Sequence, residues 1–567
     1  MKFDAALDAI FNETSAGERT CSECSQTFLF DEADLDLSRK LRIPPPTVCP
    51  DCKRQRRLAF LNYTSLYKRR CDAPGHTEDL ISAIPLGNSF MVYDYEYWNS
   101  YVWEPLAYGE VWSAGSFRDQ FYALAKRVPQ PVLTRHAGSV GSDYTLYGYN
   151  FKDCYFTFGG KSSENVHYSN WPADCKDSLD LMIAYNSTLS SNGVFLYNSY
   201  RCNWAYFSHE CIDSDFLYDC RNVRNSFGCV NLRNKQYCFF NEQLTKEEYE
   251  KRRAEIDLGD RGVLEKYKSL FCEIVKKNPV RAVWIEKSEN VSGNFVMNSK
   301  NCHDVVRCLN SENVHHSDFP IKIQDSINIS VSANGEELAE TAGVATMSSR
   351  VKFSYQSRTC LDSEFLVNCR NVSNCFGCVG LENKKFCILN TQHSEEEYFR
   401  KVDEIKTAML EAGEYGEFFP LSMSPYAYNG SLAGIVFPLS KSEVEAKGAF
   451  WHDDSAQNTA GLSVTSIANL PLRIQDTPAD ILSRAVQGEL GKAFRLIPKE
   501  LEFYQNHNLA LPDKHPMDRM LERFKQLNNF RIGKALCALC HKETDSMYDP
   551  KDGFTIYCES CFTREIS

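Results

Sequence analysis

Residues 211–238 read CIDSDFLYDCRNVRNSFGCVNLRNKQYC, and residues 360–387 read CLDSEFLVNCRNVSNCFGCVGLENKKFC. Eighteen of these 28 positions are identical at a constant offset of 149 residues. The segment SENVH at 163–167 returns at 311–315 with an offset of 148, so one residue is inserted between the two landmarks. The chain therefore contains an internal duplication, and we expect both copies to share one fold.

The duplicated segments consist of short β-favouring pieces separated by Asn, Ser, Gly and Asp. A fixed short period of this kind predicts a parallel β-solenoid, in which each coil stacks on its neighbour. Nine cysteines follow the repeat at nine-residue spacing: Cys202, Cys211, Cys220, Cys229, Cys238, Cys360, Cys369, Cys378 and Cys387. Cysteines 18 residues apart are then expected above one another at about 4.8 Å. We interpret this ladder as small apolar core packing rather than as a metal or redox array.

Several polar residues recur in both copies. Asn222 and Asn371, in the CRNV segments, are expected to cap turns or to form inward amide ladders. Each copy ends in a helix that begins with a capping box, Thr245 with Glu248 and Ser394 with Glu397,. Such a helix would cover the strand edge at the end of a solenoid.

The predicted fold class is mainly β with peripheral helices: duplicated parallel β-solenoid lobes flanked by N- and C-terminal four-cysteine zinc ribbons. The predicted domains are an N-terminal zinc ribbon with a basic helix (1–84), an aromatic-rich connecting region (85–149), a first β-solenoid repeat with capping helices (150–297), a second β-solenoid repeat with a capping helix (298–430), a mixed α/β linker region (431–498), and a C-terminal helix plus zinc ribbon (499–567).

Paired CxxC motifs lie near both ends of the chain. Their cysteines are Cys21, Cys24, Cys49 and Cys52 at one end, and Cys537, Cys540, Cys558 and Cys561 at the other. Each CxxC directs two thiolates at one ion, and four cysteines form a closed tetrahedral shell with no position for water. We therefore expect two structural Zn²⁺ sites and no catalytic metal. The turn MYDPKDGFTIYC before Cys558 is predicted to be a β-hairpin that bends at Asp-Gly.

A further pair, Cys71 and His76 in CDAPGH, is a candidate for an extra metal site. The alternative is a buried thiol and a turn histidine, and two ligands alone do not make a site. A weak sequence similarity also links the N-terminal and C-terminal parts of the chain. Pro50 with Lys53 and Arg57 parallels Pro516 with Arg519 and Arg523, which suggests that the C-terminal module is a relative of the N-terminal one.

Residues 21–57, with TCSECSQTFLF followed by PPTVCPDCKRQRR, resemble a zinc-ribbon family. The run CPDCKRQRRLAFLNYTSLYKRRCD, the CRNVxNxFGCVxL segments and the C-terminal YCESCF are similar to a multi-domain zinc-ribbon family common in candidate-phyla (Patescibacteria-like) bacteria. This resemblance covers most of the chain. It implies the zinc-ribbon architecture and supplies no activity.

The net charge of −12 is unevenly distributed. Residues 39–70 carry a net charge of +9, so the remaining chain carries −21. A local field of this kind can attract polyanions, although a solvated helix face is an equal alternative. The residues proposed to contact nucleic acid are Lys53, Arg54, Arg56, Arg57, Lys68, Arg69 and Arg70.

The N-terminus lacks a basic segment followed by an apolar run, and no apolar stretch reaches about 18 residues, so neither a secretory signal nor a membrane span is expected. Together with 24 cysteines, this predicts reduced thiols, metal thiolates and a cytoplasmic location.

Three functions are compatible with these patterns. The favoured hypothesis is a non-enzymatic zinc-binding scaffold or adaptor that engages RNA, the ribosome or DNA through the basic zinc-ribbon module. The second is a β-solenoid enzyme acting on a polysaccharide, whose only repeated acid pairs would be Asp213/Asp215 and Asp362/Glu364,. These pairs fit turn capping better, and no catalytic residue is assigned. The third is an assembly factor whose acidic solenoid binds a basic protein.

Overall fold

The computed structural model describes residues 2–135, 138–344, 346–453 and 461–566. The α-helices are α1 (Lys2–Glu13), α2 (Glu32–Leu41), α3 (Pro50–Ala59), α4 (Tyr95–Trp98), α5 (Phe117–Arg127), α6 (Lys246–Ala254), α7 (Arg261–Lys277), α8 (Glu395–Glu411), α9 (Leu432–Val436), α10 (Lys441–Ala446), α11 (Pro498–Asn506), α12 (Pro516–Gln526) and α13 (Glu559–Ile566).

The strands are short and fall into four groups along the chain. Before the first repeat lie β1 (Gly17–Thr20), β2 (Thr27–Phe30), β3 (Tyr67–Arg70), β4 (Asp79–Ser82), β5 (Val92–Tyr93) and β6 (Gln130–Pro131). The first repeat contains β7 (Thr145–Leu146), β8 (Thr157–Phe158), β9 (Glu164–His167), β10 (Asn170–Ala173), β11 (Lys176–Leu179), β12 (Met182–Tyr185), β13 (Val194–Tyr197), β14 (Tyr200–Tyr206), β15 (Ile212–Tyr218), β16 (Arg221–Arg224), β17 (Phe227–Val230), β18 (Arg233–Gln236), β19 (Cys238–Phe239) and β20 (Glu242–Gln243).

The second repeat and the C-terminal part contain the remaining strands. They are β21 (Pro279–Arg281), β22 (Ile285–Glu286), β23 (Glu289–Asn294), β24 (Val296–Met297), β25 (Lys300–Val306), β26 (Glu312–His315), β27 (Asp318–Glu336), β28 (Ala339–Val344), β29 (Ser348–Tyr355), β30 (Leu361–Val367), β31 (Ser373–Val379), β32 (Lys385–Ile388), β33 (Thr391–Gln392), β34 (Val464–Ser466), β35 (Ala485–Gln487), β36 (Ala493–Phe494), β37 (Gly533–Leu536), β38 (Glu543–Ser546) and β39 (Thr555–Tyr557).

The chain forms two compact units, each built from two separate stretches. Unit 1 comprises the residues up to Leu133 together with Val283–His452, and unit 2 comprises Thr134–Ala282 together with the residues from Asp453 onward. Each unit contains one large, mainly parallel sheet and one four-cysteine cluster. The protein is therefore a mixed α/β structure in which each unit combines one copy of the duplication with one terminal module.

The sheet of unit 2 repeats every twelve residues. Met182 pairs with Val194, Cys202 with Ser214, and Leu217 with Cys229, all in parallel register. Every third residue from Tyr147 to Phe240 has the left-handed backbone conformation, including the glycines Gly159 and Gly228. Asn and Asp occupy many of these positions because they tolerate positive φ better than other residues that carry a Cβ.

The residue that follows a left-handed position faces the core along most of this sheet, whereas Lys235 and Asn241 at its end are exposed. The core cluster of this sheet consists of residues separated by multiples of three: Phe151, Cys154, Val166, Cys175, Leu181, Ala184, Leu196, Cys202, Ala205, Cys211, Leu217, Cys220, Val223, Cys229 and Cys238. Serines fill other positions of the same spacing. Ser190 Oγ, for example, accepts a bond from the Cys202 amide twelve residues on and donates to the Thr188 carbonyl. The backbone groups inside this narrow core are thereby paired.

The sheet of unit 1 follows the same rule with two irregularities. At its start the register is eleven residues, since Glu289 pairs with Lys300. It is then twelve residues from Lys300 to Glu312 and from Ile327 to Ala339, and twelve again from Val351 to Ser363. Before that last segment the spacing widens to thirteen, since Gly335 pairs with Ser348 and Ala339 with Lys352. This step accounts for the single inserted residue between the two copies of the repeat.

Both repeated sheets end in the same way. An antiparallel pair closes each sheet, Cys238 with Gln243 and Cys387 with Gln392. α6 and α8 then begin, and Tyr249 and Tyr398 pack against the rings of Tyr237 and Phe386. The capping box of Thr245 and Glu248 is present in full. At the second copy the Ser394 side chain accepts the Glu397 amide.

Three sequence expectations on local geometry were wrong. The parallel register is eleven to thirteen residues, so cysteines 18 apart are not paired neighbours. Asn222 and Asn371 form amide ladders with Asn234 and Asn383, but these lie on the exposed surface rather than inside the core. The C-terminal hairpin joins β37 to β38 across Cys537–Cys540, whereas β39 pairs in parallel with β21.

Candidate metal centres

The N-terminal cluster joins a β-hairpin to a helix. Cys21 directly follows β1, and Cys49 caps the N-terminus of α3, where its sulfur accepts the Cys52 amide. The Cys49 amide in turn donates to the Cys21 sulfur at 3.2 Å. Pro50 suits the first turn of a helix because its missing N–H would have no partner there. The hairpin and the helix therefore bring the two CxxC motifs together.

The C-terminal cluster has the same construction. Cys537 follows β37, and the Cys558 amide, directly before α13, donates to the Cys537 sulfur at 3.3 Å. Cys540 and Cys561 complete a group in which all ligand atoms lie within 4.8 Å of one another, as they do in the N-terminal group. The structure thus brings together all eight cysteines that the sequence assigned to metal.

The sulfur spacing in both clusters fits zinc. The Cys21–Cys52, Cys24–Cys49 and Cys540–Cys558 Sγ–Sγ distances are 3.9, 3.7 and 3.8 Å. Tetrahedral ligands at a Zn–S length of about 2.3 Å are about 3.8 Å apart. The two clusters could therefore each hold a metal ion of zinc's size and coordination.

The first cysteine of each cluster lies among backbone donors that favour a thiolate. Burial raises the pKa of Cys21, but hydrogen bonds from the amides of Cys49, Cys24 and Glu23 outweigh it and lower the pKa to about 6,. The same balance lowers the pKa of Cys537 to about 6. Metal binding requires the deprotonated thiol, so Cys21 and Cys537 are the cysteines best placed to bind a cation first. The pKa values of Cys49 and Cys561 are raised by burial and by the neighbouring cysteines of their clusters.

A third group of ligand-type side chains surrounds the candidate pair Cys71 and His76. Glu78 and Asp94 join them, and the four ligand atoms again lie within 4.8 Å of one another. Sequence reasoning missed the two acids because Glu78 follows His76 in an ordinary polar loop and Asp94 lies 23 residues beyond Cys71.

The basic residues of α3 face the unit 1 sheet. Lys53 Nζ lies 2.7 Å from Glu340 Oε1, and Arg57, fully buried, donates to Ser330 Oγ and to the His316 carbonyl. Arg54 pairs with Asp318, Arg56 with Glu23 and Glu417, and Arg69 with Asp72. Lys68 and Arg70 are exposed. Five of the seven residues proposed for nucleic-acid contact thus form ion pairs within the chain.

α12 makes the equivalent contacts in unit 2. Arg519 pairs with Asp180 and Glu500, and Arg523 Nη1 lies 2.8 Å from Asp180 Oδ1. Both helices start with proline and present buried cations four residues apart to carboxylates of their own unit. The sequence similarity between the two ends, Pro50 with Lys53 and Arg57 and Pro516 with Arg519 and Arg523, therefore corresponds to a basic helix that packs in the same way in both units.

The repeated acid pairs lie in β15 and β30 rather than in turns. Asp215 pairs with Arg253 at 2.9 Å, and Asp362 with Arg350 at 2.5 Å. Glu364 is largely shielded and contacts Lys352, Lys406 and the Tyr415 hydroxyl. These partners hold its pKa at about 2 against the raising effect of burial. A carboxylate with this pKa is a poor general acid or base near neutral pH.

Unit 2 also contains a cavity of about 420 Å³. Its wall combines aromatic rings, including Trp204 and Phe216, with the α12 residues Arg519 and Arg523. Both arginines already bind Asp180 in the helix contact. The cavity carries no assigned chemistry.

The two four-cysteine clusters are consistent with zinc-ribbon-like sites that could each hold a metal ion. No protein-family model and no curated protein matches the sequence, so the resemblance to a zinc-ribbon family is supported at the level of these clusters. All 24 cysteines lie among the described residues, and none is bridged. Within the part of the chain that the structure describes, no helix has the length and apolar character needed to cross a membrane.

Proposed function

We propose that this protein is a non-enzymatic, zinc-stabilised scaffold of two β-solenoid lobes, each held by a basic helix. The main observation that supports this proposal is the burial of Lys53 and Arg57 against Glu340. Arg519 and Arg523 are buried in the equivalent way in unit 2. In a nucleic-acid-binding helix such cations would contact phosphate, whereas here they form ion pairs inside the fold.

The solenoid interpretation of the repeated sheets is supported by their register. A parallel strand pair that recurs every twelve residues, with a left-handed residue at nearly every third position, lets the chain complete one coil per repeat,. Amide ladders join successive coils on the surface, as between Asn186 and Asn198 at 3.0 Å. Such coils form a rigid body with a long side surface and expose backbone edges only at their ends.

Zinc has a defined place in this scaffold. Cys49 is both a metal-type ligand and the N-cap of α3, so an ion at the N-terminal cluster would fix where the helix starts. Lys53 and Arg57 lie one and two turns further along, on the face that meets Glu340. The free energy of zinc binding would then support the helix–sheet contact as well as the ribbon.

Zinc removal tests this coupling. We expect a chelator, or Cys24→Ser, to lower the thermal unfolding midpoint of the full chain and to expose Lys53 in lysine-labelling experiments. Cys24 is exposed, so its substitution removes a ligand without disturbing a core. Cys272→Ser, at an exposed thiol outside the clusters, is the matched control. Equal unfolding midpoints for the two variants in zinc would contradict the proposal.

The scaffold role itself is tested by affinity capture of the full chain followed by mass spectrometry. A protein partner recovered in stoichiometric amount, by the zinc-loaded chain and not by the chelated one, supports it. Turnover of a polysaccharide that is lost in Asp213→Asn would instead establish the enzyme hypothesis and refute the scaffold.

Nucleic-acid binding is the second candidate, and one observation favours it. Lys68 and Arg70 alternate along β3 and are both exposed, so they lie on one face of the strand,. We expect any RNA or DNA affinity to fall steeply with salt and to be lost in Lys68→Glu/Arg70→Glu. Lys441→Glu/Lys447→Glu, which changes the charge equally at two other exposed lysines, is the control. Unchanged affinity in the first variant would exclude this interface.

A further inference from the structure

The side chains of Cys71, His76, Glu78 and Asp94 converge in unit 1. Asp94 Oδ2 lies 3.6 Å from Cys71 Sγ and 3.2 Å from His76 Nδ1, and Glu78 Oε1 lies 2.5 Å from the same His76 nitrogen. The other Asp94 oxygen accepts the amides of Glu96 and Tyr97, which fixes the carboxylate with Oδ2 toward the cluster. One sulfur, one imidazole and two carboxylates are thus directed at a common point.

The loop that carries this cluster has the construction of the two four-cysteine loops. In each hairpin the cysteine comes directly after the first strand: Cys21 after β1, Cys71 after β3 and Cys537 after β37. The residue four positions later has the left-handed conformation in all three loops, with φ of 60° at Ser25, 80° at Gly75 and 57° at His541. The amide two positions after the cysteine donates to its sulfur, from Glu23, Ala73 and Leu539.

The partner segment is also equivalent in the three places. The amides of Cys49, Asp94 and Cys558 donate to the sulfurs of Cys21, Cys71 and Cys537 at 3.2, 3.2 and 3.3 Å. Each of these residues directly precedes a helix. Asp94 therefore occupies the position of the third cysteine in a zinc-ribbon-like site.

The second and fourth ligands differ from those of the four-cysteine clusters. Three residues after the first cysteine those clusters have Cys24 and Cys540, whereas this loop has Pro74, and His76 follows two residues later. Three residues after the third ligand, the four-cysteine clusters have Cys52 and Cys561, whereas this cluster has Tyr97. The Tyr97 ring packs edge-on against His76, with ring centroids 4.9 Å apart, and so supports the imidazole rather than supplying a donor. The hairpin loop is longer here, and it brings in Glu78 as the fourth ligand-type group.

We propose that Cys71, His76, Glu78 and Asp94 form a third metal site of this protein, which binds Zn²⁺. Zinc accepts this mixture of thiolate, imidazole and carboxylate ligands in tetrahedral geometry. The Glu78 side chain is 47% exposed while that of Asp94 is 14% exposed, so Glu78 lies on the solvent side of the site.

Zinc counting tests the site on the full chain. The protein is saturated with Zn²⁺, desalted, and its zinc content is measured by mass spectrometry. We expect three ions per chain in the wild type and two in His76→Gln and in Cys71→Ser. Glu96→Gln, an exposed neighbour that ligates nothing in the cluster, retains three. Two ions in the wild type, or three in both ligand variants, would overturn the proposal.

Two controls are needed, one for the folding of each variant and one for which site has lost its ion. Circular dichroism establishes that each variant folds, and if Cys71→Ser does not fold, His76→Gln decides the question alone. Zinc counting on Cys24→Ser shows how the zinc content changes when the N-terminal four-cysteine cluster loses its ion. An ion lost from that cluster is therefore not mistaken for a missing third ion. The outcome is independent of the scaffold proposal, since ion counts do not depend on a partner.

Discussion

The Arg57 guanidinium lies 3.6 Å from the Glu340 carboxylate, and both side chains are completely shielded from solvent. Lys53, one helical turn earlier, shares the same carboxylate at 2.7 Å. In unit 2, Arg519 and Arg523 share Asp180 in the same manner. Two cations on one helix face thus meet one acid of the repeat, Glu340 in β28 or Asp180 directly after β11, and both units show this arrangement.

Removal of a single partner from this buried network is expected to destabilise unit 1 strongly. Lys53→Met leaves Glu340 buried with less compensation, and breaking a buried pair in this way costs about 3 kcal/mol. Lys68→Met, at an exposed position of the same basic segment, should change the unfolding free energy by less than about 0.5 kcal/mol. Urea titration followed by circular dichroism measures both. Equal losses in the two variants would contradict a structural role for Lys53.

Asp34 and His316 make the stability of unit 1 depend on pH. Burial alone lowers the pKa of His316, but the carboxylates of Asp304 and Asp34, at 3.3 and 3.1 Å, outweigh it and raise the pKa to about 10. Burial raises the pKa of Asp34, and the hydrogen bonds with His315 and His316 outweigh this and hold it well below its usual range.

The signs of the two effects define a window. A raised histidine pKa stabilises the fold fully below about pH 6.5 and loses this contribution as pH rises toward 10, whereas the lowered Asp34 pKa stabilises above about pH 4. We expect the urea midpoint of the wild type to fall between pH 6.5 and 9.5, and that fall to be smaller in His316→Gln. His541→Gln, at an exposed histidine, should retain the wild-type slope. Equal slopes in all three proteins would refute the assignment.

The nine-residue cysteine spacing indicated a repeat but not its length. The core takes every third residue and the register is twelve, so four core positions lie in each repeat. A step of nine residues therefore moves to a different core position each time, from Cys202 through Cys211, Cys220 and Cys229, and returns to the first at Cys238. The cysteine spacing alone therefore indicates a step of nine residues and not the twelve-residue period of the sheet. That period is visible in the Asn ladders, whose hydrogen-bonded partners are twelve residues apart.

Candidate ligands were predictable where they came in short motifs. The CxxC pairs located both four-cysteine clusters, because each motif supplies two ligands from one turn. Cys71 and His76 were found, but Asp94 is placed by the long connection from β4 to β5 and carries no local signal. The ion pairs of the basic segment also could not be predicted from the sequence, because Glu340 and Glu417 lie more than 280 residues from Lys53.

The inward serines offer a test of the repeat itself. Ser190 Oγ accepts the Cys202 amide at 3.1 Å and donates to the Thr188 carbonyl at 3.0 Å. Ser190→Ala would leave a buried amide without a partner, at a cost of about 1–3 kcal/mol. Ser463→Ala, at an exposed serine of the same unit, should be nearly neutral. A neutral Ser190→Ala in urea titration would mean that the serine column does not hold successive repeats together.

The final prediction concerns which thiols react. Burial raises the pKa of Cys202, Cys220 and Cys369 well above that of a free thiol, and reactivity requires an accessible thiolate,. We therefore expect iodoacetamide to label Cys272, which is exposed, in the native zinc-loaded protein and to leave all nine ladder cysteines unmodified. Peptide mass spectrometry reads the sites, and Cys272→Ser should abolish the native signal.

A chelator separates packing from metal protection in the same experiment. Cys24 is exposed yet belongs to a four-cysteine cluster, so it should become labelled once zinc is removed, while Cys220 stays protected until the chain unfolds. Labelling of Cys220 at the rate of Cys272 would mean that the ladder is an accessible thiol array. If chelation alone exposed the ladder cysteines, the repeated sheets would depend on metal rather than on their own packing.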